Sequence, residues 1–179
     1  ATQQRLDRLA LRPLVGRRRR DRHPLCQWLV VARDYHFLAA FCAIASRGQT
    51  NLLPAARTPA AIAETLTAYP GSYALGDSDA FGASVRRIPA LGANGRATTV
   101  PRIDAAQTVA IGFTSGSTGQ PKAHTKTWAS FRASTAANAR GLREFLPGAT
   151  TAHVVATVPP QHMYGMELSV LLPLLAPFA

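Results

Sequence analysis

Between residues 112 and 126 the chain reads GFTSGSTGQPKAHTK. Thr114, Ser115, Ser117 and Thr118 carry hydroxyls, Gly116 and Gly119 have no side chain to hold a ligand away, and Lys122 adds a cation. Main-chain amides left unpaired in such a run, with hydroxyls and an ammonium beside them, suit an anion that has several oxygens. A run this small has little to bury, so it does not serve a core. The nucleotide-binding P-loop is excluded, because it ends in Gly-Lys-Ser/Thr, whereas here Pro121 precedes Lys122 and Ala123 follows. Proline has no amide to donate and a fixed φ, so the chain has to leave Lys122 extended rather than wrapped around a phosphate. The dinucleotide fingerprint G-x-G-x-x-G is absent as well.

Such a loop works only if neighbouring elements hold it. Residues 108–113 have the composition of a strand, and residues 127–145, rich in Ala, Arg, Leu and Glu, that of a helix. Upstream, residues 27–32 form a short continuous apolar run that suits a buried strand. Asp34 is placed to cap a helix reaching about Ser46, with Gly48 as its stop. Residues 50–53 read as a strand closed by Pro54, and Thr58-Pro59 opens a helix that ends near Tyr69-Pro70-Gly71. Residues 72–75 and 84–89 are further strand candidates, and 90–104 an irregular connection. Residues 153–158 read as a buried strand stopped by Pro159-Pro160, before a mostly apolar stretch over 163–175. This alternation predicts an α/β fold with a largely parallel sheet flanked by helices.

Phe113-Thr114-Ser115-Gly116-Ser117-Thr118-Gly119-Gln120-Pro121-Lys122 resembles the phosphate-loop signature of the adenylate-forming superfamily, which includes acyl-CoA synthetases, luciferases and peptide-synthetase adenylation domains. A second stretch, Val158-Pro159-Pro160-Gln161-His162-Met163-Tyr164-Gly165, is similar to that family's next core motif. A Ser/Gly linker would need neither a strand before it nor a long helix after it. The resemblance covers residues 25 to the end and implies the first part of the large N-terminal domain of such an enzyme. It implies ATP-dependent activation of a carboxylic acid as an acyl-adenylate, followed by transfer to the thiol of CoA or an acyl carrier protein.

By the same resemblance, Thr114, Ser115, Gly116, Ser117, Thr118, Gly119 and Lys122 would bind the β- and γ-phosphates of ATP, with His162, Met163 and Tyr164 beside the acid. No catalytic nucleophile is expected, because positioning and electrostatics suffice for this chemistry. Mg2+ is expected with ATP, on a glutamate of the family that has no counterpart here; the ribose-binding aspartate and the catalytic lysine of the C-terminal domain have none either. The expectation is therefore an N-terminal fragment, inactive alone. The alternative is a non-catalytic phosphate- or nucleotide-binding scaffold derived from such a ligase. Val158 to Gly165, together with Arg47-Gly48-Gln49-Thr50-Asn51-Leu52-Leu53-Pro54, also looks similar to AMP-ligases of bacterial aryl-polyene pigment clusters.

The totals fit one domain, residues 25–179, behind a basic lead segment, residues 1–24, with a short helix over 6–14. At 179 residues and 47% hydrophobic composition the chain can build a core. Its formal charge of +11 suggests a polyanion partner, yet every basic residue except Lys122 and Lys126 is arginine, in an alanine-crowded chain. No aromatic residue interleaves the front arginines to stack on bases, which disfavours nucleic acid. Cys26 and Cys42 lack metal-knuckle or redox spacing and read as buried thiols of a reducing cytoplasm. Arg33, Asp34 and His36 interrupt the apolar run from Leu25 to Ala45, so neither a signal peptide nor a membrane span is expected.

Overall fold

The computed structural model describes residues 26–30, 34–54, 56–78, 85–88, 100–114, 122–148 and 152–176. The lead segment and its expected helix lie outside them. Strand β1 (Cys26–Val30) leads to helix α1 (Asp34–Ser46), β2 (Thr50–Leu53), α2 (Pro59–Ala68), β3 (Tyr73–Gly76) and β4 (Val85–Arg87). After these come β5 (Thr108–Thr114), β6 (Lys122–Thr127) and α3 (Trp128–Phe145). A last helical segment, α4, covers residues 163–175: an α-helical turn at Met163–Gly165, a π-helical stretch at Met166–Leu171, and an α-helical turn at Leu172–Leu175.

The sheet runs in the order β4-β3-β1-β2-β5-β6. The four pairings among β1 to β5 are parallel, and β5–β6 alone is antiparallel. The chain first steps from β1 outward to β2, then crosses back to β3 on the other side of β1. Right-handed crossovers in opposite directions put α1 and α2 on opposite faces. On one face Phe37, Phe41 and Ile44 of α1 pack with Phe131 of α3 and Met166, Val170 and Leu171 of α4. On the other, Ile62 of α2 packs with Leu52 and Ala74, flanked by Tyr69, Ile111 and Phe113.

Local chemistry sets the element ends. Thr58 accepts a hydrogen bond from the Ala61 amide at 3.3 Å and Pro59 follows it, so α2 starts where the cap-then-proline pattern predicts. Gly48, at φ +73°, ends α1; its amide reaches the Ala45 carbonyl, and that of Gln49 the Ile44 carbonyl, both at 3.1 Å. Two polar side chains in the buried strand β2 reach across the sheet. Thr50 Oγ1 donates to the Thr108 carbonyl at 2.7 Å and Asn51 Nδ2 to that of Val109 at 3.0 Å, joining β2 to the start of β5.

Two expectations need correction. The loop after β5 returns as a strand before the helix begins: β6 pairs along β5 from Thr114↔Lys122 to Thr108↔Thr127. The extended departure expected at Lys122 is the first residue of that strand. Residues 152–157 make no strand; Val155 is 82% exposed. Both edges of β5 are already taken, by β2 and β6, so this apolar run has no vacant neighbour there to pair with.

Candidate functional site

Thr114 ends β5 and Lys122 begins β6 directly opposite, so these two residues form the mouth of the intervening loop. Ser115, Gly116, Ser117, Thr118 and Gly119 lie outside the described residues. The mouth stands at the carboxyl end of the parallel strands, where open α/β sheets gather their ligands. Lys122, His124 and Lys126 share one face of β6, as the alternation of a strand requires. Their charges are spent differently. Lys126 Nζ lies 3.0 Å from Glu167 Oε1 and 5.9 Å from the centre of the Phe131 ring. Lys122 is exposed and has no ion pair among the described residues, which leaves its ammonium for a ligand at the mouth. That inequality, one lysine neutralised and one not, fits an anion there.

The second motif folds as a turn against the same strands. Met163 is half-buried over β5: a Cβ added to Gly112 would come within 2.6 Å of its terminal carbon. Gly112 lies two residues before Thr114, about 7 Å along the strand, so the Met163 side chain and the loop mouth are close neighbours. His162 is the N-cap of α4 and is exposed, with no capping bond from its side chain; Tyr164 is 64% exposed. Gly165 explains the spacing of the motif. A Cβ there would lie 2.3 Å from the Pro159 carbonyl oxygen and 2.8 Å from that of Val158, so the helix can fold back on the proline turn only with glycine at this place. Buried Gln161 accepts a hydrogen bond from Arg57 Nη2, which fastens the turn to the β2–α2 connection.

The structure thus brings Thr114, Lys122 and Met163 together, and directs His162 and Tyr164 outward. Arg57, Lys126 and Glu167 were not foreseen. Glu167 left a trace, being the only charged residue of the apolar α4, where an unpaired carboxylate would be costly. Cys42 was read as a buried thiol; it is half-buried at the margin of the core, and desolvation of its thiolate pushes its pKa up to about 12, so it stays protonated. Among the described residues no helix is long and apolar enough to cross a membrane.

A largely parallel sheet with helices on both faces, with a glycine- and hydroxyl-rich sequence following β5, is an open α/β architecture of the kind that gathers ligands at the carboxyl end of its strands. The family of AMP-binding enzymes matches residues 46–178, and the chain belongs to it. No curated protein matches the chain. Among solved structures it is similar to ATP-bound MatB from Rhodopseudomonas palustris, with 18% identity and a TM-score of 0.64, covering 86% of this chain and 34% of that one. It is also similar to o-succinylbenzoate CoA synthetase (MenE) from Bacillus subtilis in complex with the acyl-adenylate OSB-AMP, with 17% identity, a TM-score of 0.65, and 88% and 43% coverage. A third is McyG A-PCP complexed with phenylalanyl-adenylate, with 17% identity, a TM-score of 0.61, and 86% and 27% coverage. The chain spans between about a quarter and under half of the length of these proteins.

Proposed function

We propose that this chain is the phosphate-binding part of a ligase that activates a carboxylic acid with ATP, forms an acyl-adenylate and passes the acyl group to a thiol of CoA or a carrier protein. The observation that carries the reading is the pairing of Thr114 with Lys122 across the mouth of the loop, within a chain that belongs to the AMP-binding enzymes. Thr114, Ser115, Gly116, Ser117, Thr118 and Gly119 would supply amides and hydroxyls to the β- and γ-phosphates. Lys122 would offset the charge that builds on departing pyrophosphate, with Mg2+ as the accompanying ion. On the acid side Met163 would form the wall nearest the loop, and His162 and Tyr164 its outer rim. The similar solved structures supply support of a general kind: their names include an ATP complex, an acyl-adenylate complex and a phenylalanyl-adenylate complex.

Within the family, the stretches 47–54 and 158–165 favour the AMP-ligases of aryl-polyene pigment clusters, with an aryl or enoic acid as substrate and a carrier protein as acceptor. The full-length gene product tests both levels. ATP-dependent hydroxamate formation across aryl, short-chain and fatty acids is expected to be strongest with aryl or enoic acids; a preference for saturated fatty acids would reject the branch. Lys122→Ala is expected to lower acid-dependent ATP–pyrophosphate exchange by about a hundredfold, the scale of losing one preorganised charge at a developing anion. Exchange that survives this substitution unchanged would overturn the assignment of the loop.

A further inference from the structure

The charge pair between β6 and α4 has a geometry that an ordinary surface contact lacks. Lys126 and Glu167 are 41 residues apart in sequence, and their side chains are 29% and 17% exposed. Exposed pairs of this kind contribute little, whereas removing one partner of a partly buried pair leaves a charge without compensation. Lys126 is held from a second side by Phe131, which is fully buried in the core. Glu167 stands on the π-helical stretch, where its backbone carbonyl accepts from the Leu172 amide. Each end of the pair therefore stands on hydrogen-bonded backbone.

What the pair joins matters more than its strength. On β6, Lys126 lies on the same face as Lys122, two alternations further from the loop mouth. On α4, Glu167 follows the turn that carries His162, Met163 and Tyr164. A second contact, Met163 over Gly112, joins the same two units nearer the mouth. Two separated contacts between rigid elements define an orientation as well as a distance.

We infer that Lys126 and Glu167 are positioning residues: their ion pair sets the acid-side turn against the phosphate-binding hairpin, so that ATP in the loop strengthens binding of the acid. This rests on the ligase reading given above. Neither residue touches the reacting atoms; they act through the elements they join, and the quantity they control is the coupling between two ligands.

The test is a double-mutant cycle in the full-length gene product, with Lys126→Met, Glu167→Gln, the combination, and the charge exchange Lys126→Glu with Glu167→Lys. Each single substitution is expected to raise the KM for the acid at saturating ATP about tenfold while kcat stays within about threefold. The combination is expected to be no worse than either single, and the exchanged pair to recover part of the loss. An unchanged KM, or losses that multiply in the combination, would overturn the inference. Amide hydrogen exchange supplies a readout independent of turnover. Glu167→Gln is expected to accelerate exchange in residues 122–127 and 163–171 together, without ligand. Acceleration in one segment alone, or in neither, would also overturn it. Absence of acid-dependent exchange activity in the unsubstituted protein would count against the ligase reading, while the amide measurement would still decide whether the brace exists.

Discussion

The two faces of β5 are packed in opposite ways. Towards α4 the strand presents Ala110 and Gly112, and the helix settles so close that Met163 occupies the space a Gly112 side chain would need. Towards α2 it presents Ile111 and Phe113; Phe113 meets Tyr69 edge-on at 5.8 Å between ring centres, and α2 is propped away. A cavity of about 360 Å³ remains on that side, lined by Pro54, Ala61, Thr65, Tyr69, Phe113 and Ala123 among others. Small residues bring a helix onto the sheet and large ones hold it off. The close face is the one that carries the candidate acid-side turn, so small changes of volume there are felt at the site, whereas the open face has room to absorb them.

This contrast can be broken most severely at Gly165. Gly165→Ala drives a methyl into two backbone carbonyls that have nowhere to go, and a loss of about 3 kcal/mol is expected in urea unfolding, the upper end for overpacking. A loss below about 1 kcal/mol would mean that the proline turn yields more easily than its geometry indicates. Gly112→Ala comes next, at about 1–2 kcal/mol, because the obstructing atom is the mobile end of Met163. Combining it with Met163→Ala should cost clearly less than the two substitutions added together; simple additivity would show that the pair is not in contact.

On the open face, Thr58→Ala removes only the cap of α2 and is expected to cost about 1 kcal/mol, with no change in acid or ATP binding. A shift in either affinity would show that α2 belongs to the site. The smallest effect is one of pH. The Cys42 thiol is raised from its ordinary 9.0 to about 12, so its contribution to stability is complete below pH 9. It declines as pH rises toward 12, because the unfolded chain ionises first. Alkylation of Cys42 at pH 8 should accordingly be slow until the protein is unfolded; rapid modification of the folded chain would contradict the raised pKa.

Much of this frame is legible from local signals. Thr58-Pro59 marks the start of α2, Gly48 and Gly71 mark turns at φ +73° and +82°, and the short stretch 50–53 before Pro54 is β2. These work because capping and positive φ depend on a few adjacent residues. Strand β6 was illegible, since Lys-Ala-His-Thr-Lys-Thr has no apolar run and is a strand only by virtue of lying beside β5. Residues 153–158 failed in the reverse sense, having the composition of a strand without a neighbour. At the site, Gly165 could be recognised as part of a motif, but its reason, the two carbonyls beneath it, depends on how the chain folds back. The union of Lys126 with Glu167 spans too many residues for any periodicity to announce it.

The π-helical winding at Met166–Leu171 has a consequence for how this protein could change in length. Such a stretch holds one residue more than an α-helix would need to cover the same rise. Deleting a single residue between Glu167 and Leu172 would let ordinary winding resume with the segments on either side keeping nearly the same faces, whereas the same deletion in an α-helix would swing one of them by about 100° around the helix axis. Glu167 would still point toward β6 and the apolar end of α4 would stay in the core, so the extra residue is one that the clasped hairpin could lose without opening.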